Sequence, residues 1–467
     1  MTMSLKSSDL FTFVKLAAKL FRSSDIPTIC FHPNGGSIKL CAFGKNAMLT
    51  MLAPRDGFLD AFSMRLDDLK SVVTKKTGEI TFDLQKNAVQ VQSEGVLHRF
   101  LTGKNVNEIP YQPSQTSAHS AARLFGALND AACCIDREST TALAGICFRA
   151  STSQIVSTTG CQLLVQDGYE FEGWGTSDVV CPASKIFNSK ELKEIATDNV
   201  EIGLTNGFIY FGLGNVEIYL KAIDGVFPKV AKIMETAPET TYLTVDPNDA
   251  DFVLNKLPML PGGKDTDSPV YLSLDVAAWL RAYNGEQKTG VALELSRSTF
   301  TGKSTSVSMN RLFLKNALQF GCNIIGIDPA GDKPVICTGE NRTFIYVPLT
   351  GKEPEAENMD VIASALQPAT ATVATAASAV PKATATVTTP VPKPVKRRRR
   401  TVKRDAARDT VTQPTGKMAL LVTAEQIRND LRNSLLQVNS LIREVKAQRQ
   451  KDRLLQNTMD NLRKLSL

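Results

Sequence analysis

Histidine is scarce in this chain. The 467 residues contain three, His32, His98 and His119, scattered and without metal-ligand spacing or a nucleophile motif beside them. The commonest general base, metal ligand and triad member is therefore nearly missing, and no catalytic constellation takes its place. Nine cysteines form no Cys-x-x-Cys, so neither zinc nor a disulfide framework is indicated. Cys30, Cys41 and Cys147 lie in apolar stretches and read as reduced core residues. Pro261-Gly262-Gly263-Lys264 lacks the first glycine and the Ser/Thr of a phosphate loop, so it reads as a turn, with Asp265 and Asp267 as loop residues. No enzyme, cofactor or metal is expected. A run of about 18 uncharged apolar residues is also missing, so no membrane span is expected. The first six residues are too few and too polar to open a secretory signal, and the expected setting is cytoplasmic.

What is present is a repeat. A plan of helix, strands, second helix and paired alternating strands recurs about every 115 residues, over 8–116, 118–237 and 240–351. Self-similarity of this kind points to a modular scaffold. In the first copy Leu10, Phe13, Val14, Leu16 and Ala17 fall at i, i+3, i+4 spacing and predict a helix over 9–21. A second helix is expected over 66–73, then strands over 80–84 and 89–91 about Lys86-Asn87. The second copy predicts helices over 123–133 and 189–196. Its hairpin, 200–204 with 208–211, turns at Asn206-Gly207, the strongest short-range hairpin signal. The third copy predicts helices over 248–256 and 275–283, with closing strands that start at 291–295 and end at 344–349. Two helices on an antiparallel sheet in each copy make an α+β protein of three similar units.

The middle copy carries the most telling phrases: Leu143-Ala144-Gly145-Ile146-Cys147-Phe148, Ser157-Thr158-Thr159-Gly160-Cys161-Gln162-Leu163, and Ile223-Asp224-Gly225-Val226-Phe227-Pro228. In this order, and with Val347-Pro348-Leu349 late in the third copy, they resemble the bacterial DNA polymerase III beta subunit, the sliding clamp. That family reads Leu-Asn-Gly-Met-Leu-Phe, Ala-Thr-Asp-Gly-His-Arg-Leu, Phe-Pro and Met-Pro-Met at the corresponding places. The resemblance covers 8–351. It departs where the family's Asp-Gly-His-Arg becomes Thr159-Gly160-Cys161-Gln162, and where the chain continues past the family's usual end.

The resemblance implies three DNA-clamp domains per subunit and a head-to-tail homodimer whose ring encircles double-stranded DNA. Its role would be processivity for a polymerase complex, not catalysis. A DNA polymerase catalytic subunit and a clamp loader would dock an extended peptide between the second and third copies. By position that groove involves Leu143, Thr158, Gly160, Cys161, Gln162, Leu163, Ile345, Val347 and Leu349, with apolar anchors filling a pocket.

Charge divides the chain. Residues 361–467 hold 20 Lys+Arg against 7 Asp+Glu, net +13, which leaves 34 against 40 and net −6 over 1–360. A ring reconciles an acidic body with DNA by turning basic helix residues toward the hole. Candidates on or beside the predicted helices are Lys15, Lys19, Arg22, Lys70, Arg123, Arg137, Lys190, Lys193, Lys256 and Arg281. Lys15 and Lys19 are four apart and share a face. Taken singly, each is also an ordinary solvated cation.

Residues 362–395 are dominated by Ala, Thr, Val and Pro, which reads as a disordered, semi-stiff spacer in a linker that runs to 416. Lys396, Arg397, Arg398, Arg399 and Arg400, with Lys403 and Arg404 behind them, attract phosphate by counterion release. An acidic protein partner, solubility or an import signal would use the same run. Over 420–467, Leu431, Val438, Leu441, Val445, Leu455, Met459 and Leu462 follow a/d spacing. That fits a short coiled coil, a helix docked on a partner, or an amphipathic helix lying on the body. The rival to a closed clamp is a clamp-derived structural or adaptor protein that works through this tail without encircling DNA.

Overall fold

The computed structural model describes residues 2–364 except 22–26, 104–111, 197, 231–232, 234–240, 264–266, 285–287, 331–332 and 352. Arg22, the basic run at 396–404 and the stretches expected to form a spacer and a C-terminal helix lie outside the described residues. Among those described, the α-helices are α1 (Ser7–Leu20), α2 (Leu66–Val72), α3 (Ala121–Ala131), α4 (Lys190–Ile195), α5 (Pro247–Lys256) and α6 (Arg311–Gln319). None of them is long and apolar enough to cross a membrane. Three times the chain runs strand, helix, a group of strands, helix, three strands.

Local chemistry sets the helix ends. Helix α1 buries the stripe Leu10, Phe13, Val14, Leu16 and Ala17, as its spacing requires. Asp246 caps α5 by accepting from the Asn248 N–H at 2.8 Å, with Pro247 in the first turn, where its missing N–H costs nothing. Asn310 caps α6 by accepting from the Leu312 N–H at 2.8 Å, and Gly321 follows that helix at φ +72°, a conformation glycine adopts without strain.

One predicted helix is a strand. Residues 275–283 do not form the third copy's second helix; Ala278–Asn284 pairs with Pro269–Leu274 on one side and Thr289–Glu294 on the other. Its burial alternates, with Ala278, Leu280 and Ala282 inward, because two strand neighbours override good helix formers. The helix in that place is α6. The strand near 291–295 belongs to the same sheet, and the closing strands are Ile324–Ile327, Val335–Gly339 and Arg342–Tyr346.

Among the described residues the strands form four sheets, of five, eight, nine and five strands. The two larger sheets are shared between repeats rather than confined to one. In the eight-stranded sheet Val216–Lys221 pairs antiparallel with Ala47–Pro54, Glu217 opposite Thr50. In the nine-stranded sheet Gln162–Asp167 pairs antiparallel with Arg342–Tyr346, Leu163 opposite Ile345. One core runs through the first two repeats, including the stacked rings of Phe31 and Phe62 at 4.3 Å. A second core fills the third repeat, and a small apolar cluster lies at the 162–167/342–346 joint.

Candidate partner groove and helix face

Most of the residues expected to line a groove between the second and third copies lie at or beside that joint. Gly160 turns the chain at φ +90° between Gln154–Thr158 and Gln162–Asp167. The Thr158 hydroxyl closes the turn, donating to the Gln162 carbonyl at 2.6 Å and accepting from the Gly160 N–H at 3.0 Å. Gln162 is buried, and its amide donates to the Cys133 carbonyl at 3.2 Å and accepts from the Asn316 amide at 3.4 Å. Its side chain ties α6 and the end of α3 to the sheet and does not line a surface.

Leu163 and Ile345 are each only 3% exposed. They share the small cluster with Phe227 and Val230, along with Val156 and Val165. Cys161 and Val347 are exposed neighbours, joined by the Val347 N–H to the Cys161 carbonyl at 3.0 Å. Leu349 is half-buried beyond them, its N–H on the Ser308 carbonyl at 2.8 Å. Leu143 sits in a short 3-10 turn whose carbonyl accepts from the Asp136 N–H. Sequence reasoning missed Arg149: its guanidinium donates to the Pro228 carbonyl at 3.1 Å, sits 5.8 Å from the Phe227 ring, and lies 3.5 Å from Asp178. The Phe227-Pro228 phrase was the signal for this segment, which Arg149 holds at the sheet's edge.

The helix cations are exposed or half-buried, and many have partners in the chain. Lys15 lies 5.0 Å from the Phe11 ring, and Lys19 is exposed on the same helix. Lys70 pairs with Asp67 at 3.2 Å. Glu194 on α4 takes both Lys190 at 3.6 Å and Lys76 at 3.3 Å. Lys193 donates to Asn188 at 2.8 Å. Arg123 donates to the Asp167 carbonyl at 3.0 Å and stacks 4.7 Å from Tyr169; Arg137 donates to the Ala132 carbonyl at 3.4 Å. Lys256 is half-buried at the end of α5. Arg281, expected on a helix, lies on a strand and pairs with Glu353 at 3.3 Å. Exposed ion pairs of this kind are weak and hold these lysines only loosely.

No sequence-family profile and no curated relative matches the chain. Solved structures do. A putative DNA polymerase III beta subunit from Eubacterium rectale is 15% identical at TM-score 0.65, over 75% of this chain and 100% of that one. The sliding clamp from Bartonella birtlesii, solved with griselimycin bound, is 19% identical at TM-score 0.64 over the same shares. The beta subunit from Thermotoga maritima is 13% identical at TM-score 0.62, again over 75% and 100%.

Proposed function

From a body with the fold of the DNA polymerase III beta subunits, we propose that this chain is a non-catalytic sliding clamp. Three domains, over 8–116, 118–237 and 240–351, would pair with those of a second copy into a cytoplasmic ring around double-stranded DNA and give a replicative polymerase its processivity. The observation that supports this best is coverage: the whole length of each clamp chain cited is matched, so no part of the fold is missing. Helices α1 to α6 then line the hole, with Lys15, Lys19, Lys70, Arg123, Arg137, Lys190, Lys193 and Lys256 toward phosphates, and contacts of that kind carry no sequence information. Arg281, on a strand, is left out. Polymerase and clamp loader dock where Cys161, Val347 and Leu349 reach the surface. The basic run at 396–404 holds DNA beside the ring, raising its local concentration.

The test is topological. The chain loaded on nicked circular DNA should be retained, and lost once that DNA is cut linear; equal retention on both forms overturns encirclement. Neutralising Lys15, Lys19 and Arg137 together should weaken salt-sensitive association without changing sequence preference. One observation favours the alternative, an adaptor that does not encircle DNA: the strand Asn358–Ala363 fills a sheet edge that a ring needs.

A further inference from the structure

Both joints inside the chain obey one rule. The last strand of a repeat pairs antiparallel with the fourth strand of the sheet half belonging to the repeat before it. Val216–Lys221 does so on Ala47–Pro54, and Arg342–Tyr346 does so on Gln162–Asp167. Applying the rule leaves one donor and one acceptor unmatched. The donor is Val96–Leu101, the last strand of the first repeat; the acceptor is Thr289–Glu294, the equivalent of 47–54 and 162–167 in the third.

The donor strand is bare. It ends its five-stranded sheet, and among the described residues no strand pairs with its outer side. Val96, Leu97 and Leu101 are 54%, 62% and 83% exposed, whereas the equivalent strand Val216–Lys221 is buried along nearly its whole length. A long apolar edge with open backbone groups is a template for another strand. The acceptor strand is not bare. Asn358–Ala363 runs along it in parallel, Thr289 opposite Asn358 through Glu294 opposite Ala363, the one parallel pair among the described strands.

We infer that residues 358–363 are a self-supplied plug in the site where strand 96–101 of a second copy adds, so that self-association through this edge requires their release. The inference rests on the ring reading and refines it. The plug is built to come off. None of its six residues is buried, and Val361 is 61% exposed, so little apolar surface holds it beyond the backbone ladder. It is tethered by Glu353 on Arg281 and Tyr283, by Lys288 with Glu357 at 2.9 Å, and by Ser364, whose hydroxyl accepts from the Ser296 N–H at 3.2 Å. Parallel pairing is slightly weaker per residue than the antiparallel pairing used at both internal joints, so an incoming 96–101 strand has the better ladder.

The test is a double variant of the full chain, Asp360→Pro with Val361→Pro. Adjacent strand residues point their N–H groups to opposite sides, so one of the two substitutions removes a ladder donor whichever way the plug faces. Hydrogen exchange at 289–294 first shows whether the edge is freed, and circular dichroism shows that the body stays folded. Sedimentation equilibrium should then give a dimer dissociation constant at least tenfold lower than that of the wild type. Adding Leu97→Pro should cancel the gain, and excess synthetic peptide spanning 357–364 should return the double variant to monomer. Equal dissociation constants for wild type and double variant overturn the plug but leave the ring standing. A double variant whose 289–294 amides exchange freely yet stays monomeric overturns both.

Discussion

The two joints that tie the repeats together solve one topological problem with different chemistry. At the first, a carboxylate sits in the sheet. Glu217 accepts from Thr50 at 2.6 Å, pairs with Lys39 at 2.9 Å, accepts from Tyr219 at 3.3 Å, and is also held by Gln112. Burial pushes its carboxyl up, but the hydrogen bonds from Thr50, Lys39 and Gln112 outweigh that and hold it below the ordinary carboxylate range. At the second, the buried polar groups on the joining strand include the amides of Gln162 and Gln166, and the apolar cluster contains Leu163 and Ile345 with Phe227 and Val230. Its carboxylate, Asp130, is raised by burial against the pull of Arg342 at 3.1 Å. Charge at one joint and packing at the other give each its own weak point.

Leu163→Asp should be the most damaging change, placing an unpaired charge in the apolar cluster at a cost of about 4 kcal/mol in urea unfolding. A loss below about 1 kcal/mol would mean that the cluster opens in solution and Leu163 is reachable by a docking peptide. Glu217→Ala should follow at about 3 kcal/mol, since it strands Lys39 and leaves the Thr50 hydroxyl without its acceptor; a neutral result would show that the first joint is also held by packing.

Acid should separate the joints further. A carboxyl with a depressed folded pKa contributes stability above its unfolded value, near 4.3, and loses it as pH falls through the folded value. The first joint should therefore weaken below about pH 4, and Glu217→Gln should flatten that part of a stability–pH curve. Asp130 runs the other way, because a raised pKa makes the folded chain take up its proton more readily than the unfolded one. Asp130→Asn should accordingly cost least near neutral pH, about 1 kcal/mol or less, with a deficit that grows in acid because only the wild type gains stability by taking up that proton. A deficit that shrinks as pH falls would contradict the raised state of Asp130.

Much of the fold was legible because its signals are local. The apolar stripes of α1, α3 and α5 follow the helical period. Asn206 and Gly207 both adopt the positive φ that their hairpin turn needs, and the two chain positions carry the residues that tolerate it. Helix α6 was equally readable in retrospect, from Asn310 as its cap, Leu314, Ala317 and Leu318 on one face, and Gly321 beyond its end. The stretch 275–283 was not, since alanine, leucine and arginine favour a helix in isolation and Asp275 resembles a cap. That side chain does accept from the Val276 N–H at 2.6 Å, but it does so in the turn of a hairpin. At the candidate groove, position alone brought Leu163 and Ile345 together, whereas the inward turn of Gln162 depended on Cys133 and Asn316, 29 and 154 residues away.

The chain's own order of residues determined its threefold periodicity, most of its helices, its hairpins and the division between an acidic body and a basic tail. These follow from steric preference, period and charge count within short windows. Tertiary structure alone decided which edges meet. Every edge strand offers the same backbone donors and acceptors, so no local signal distinguishes 47–54, which takes a later repeat, from 289–294, which takes residues 358–363. That choice depends on which strands the rest of the fold brings within reach.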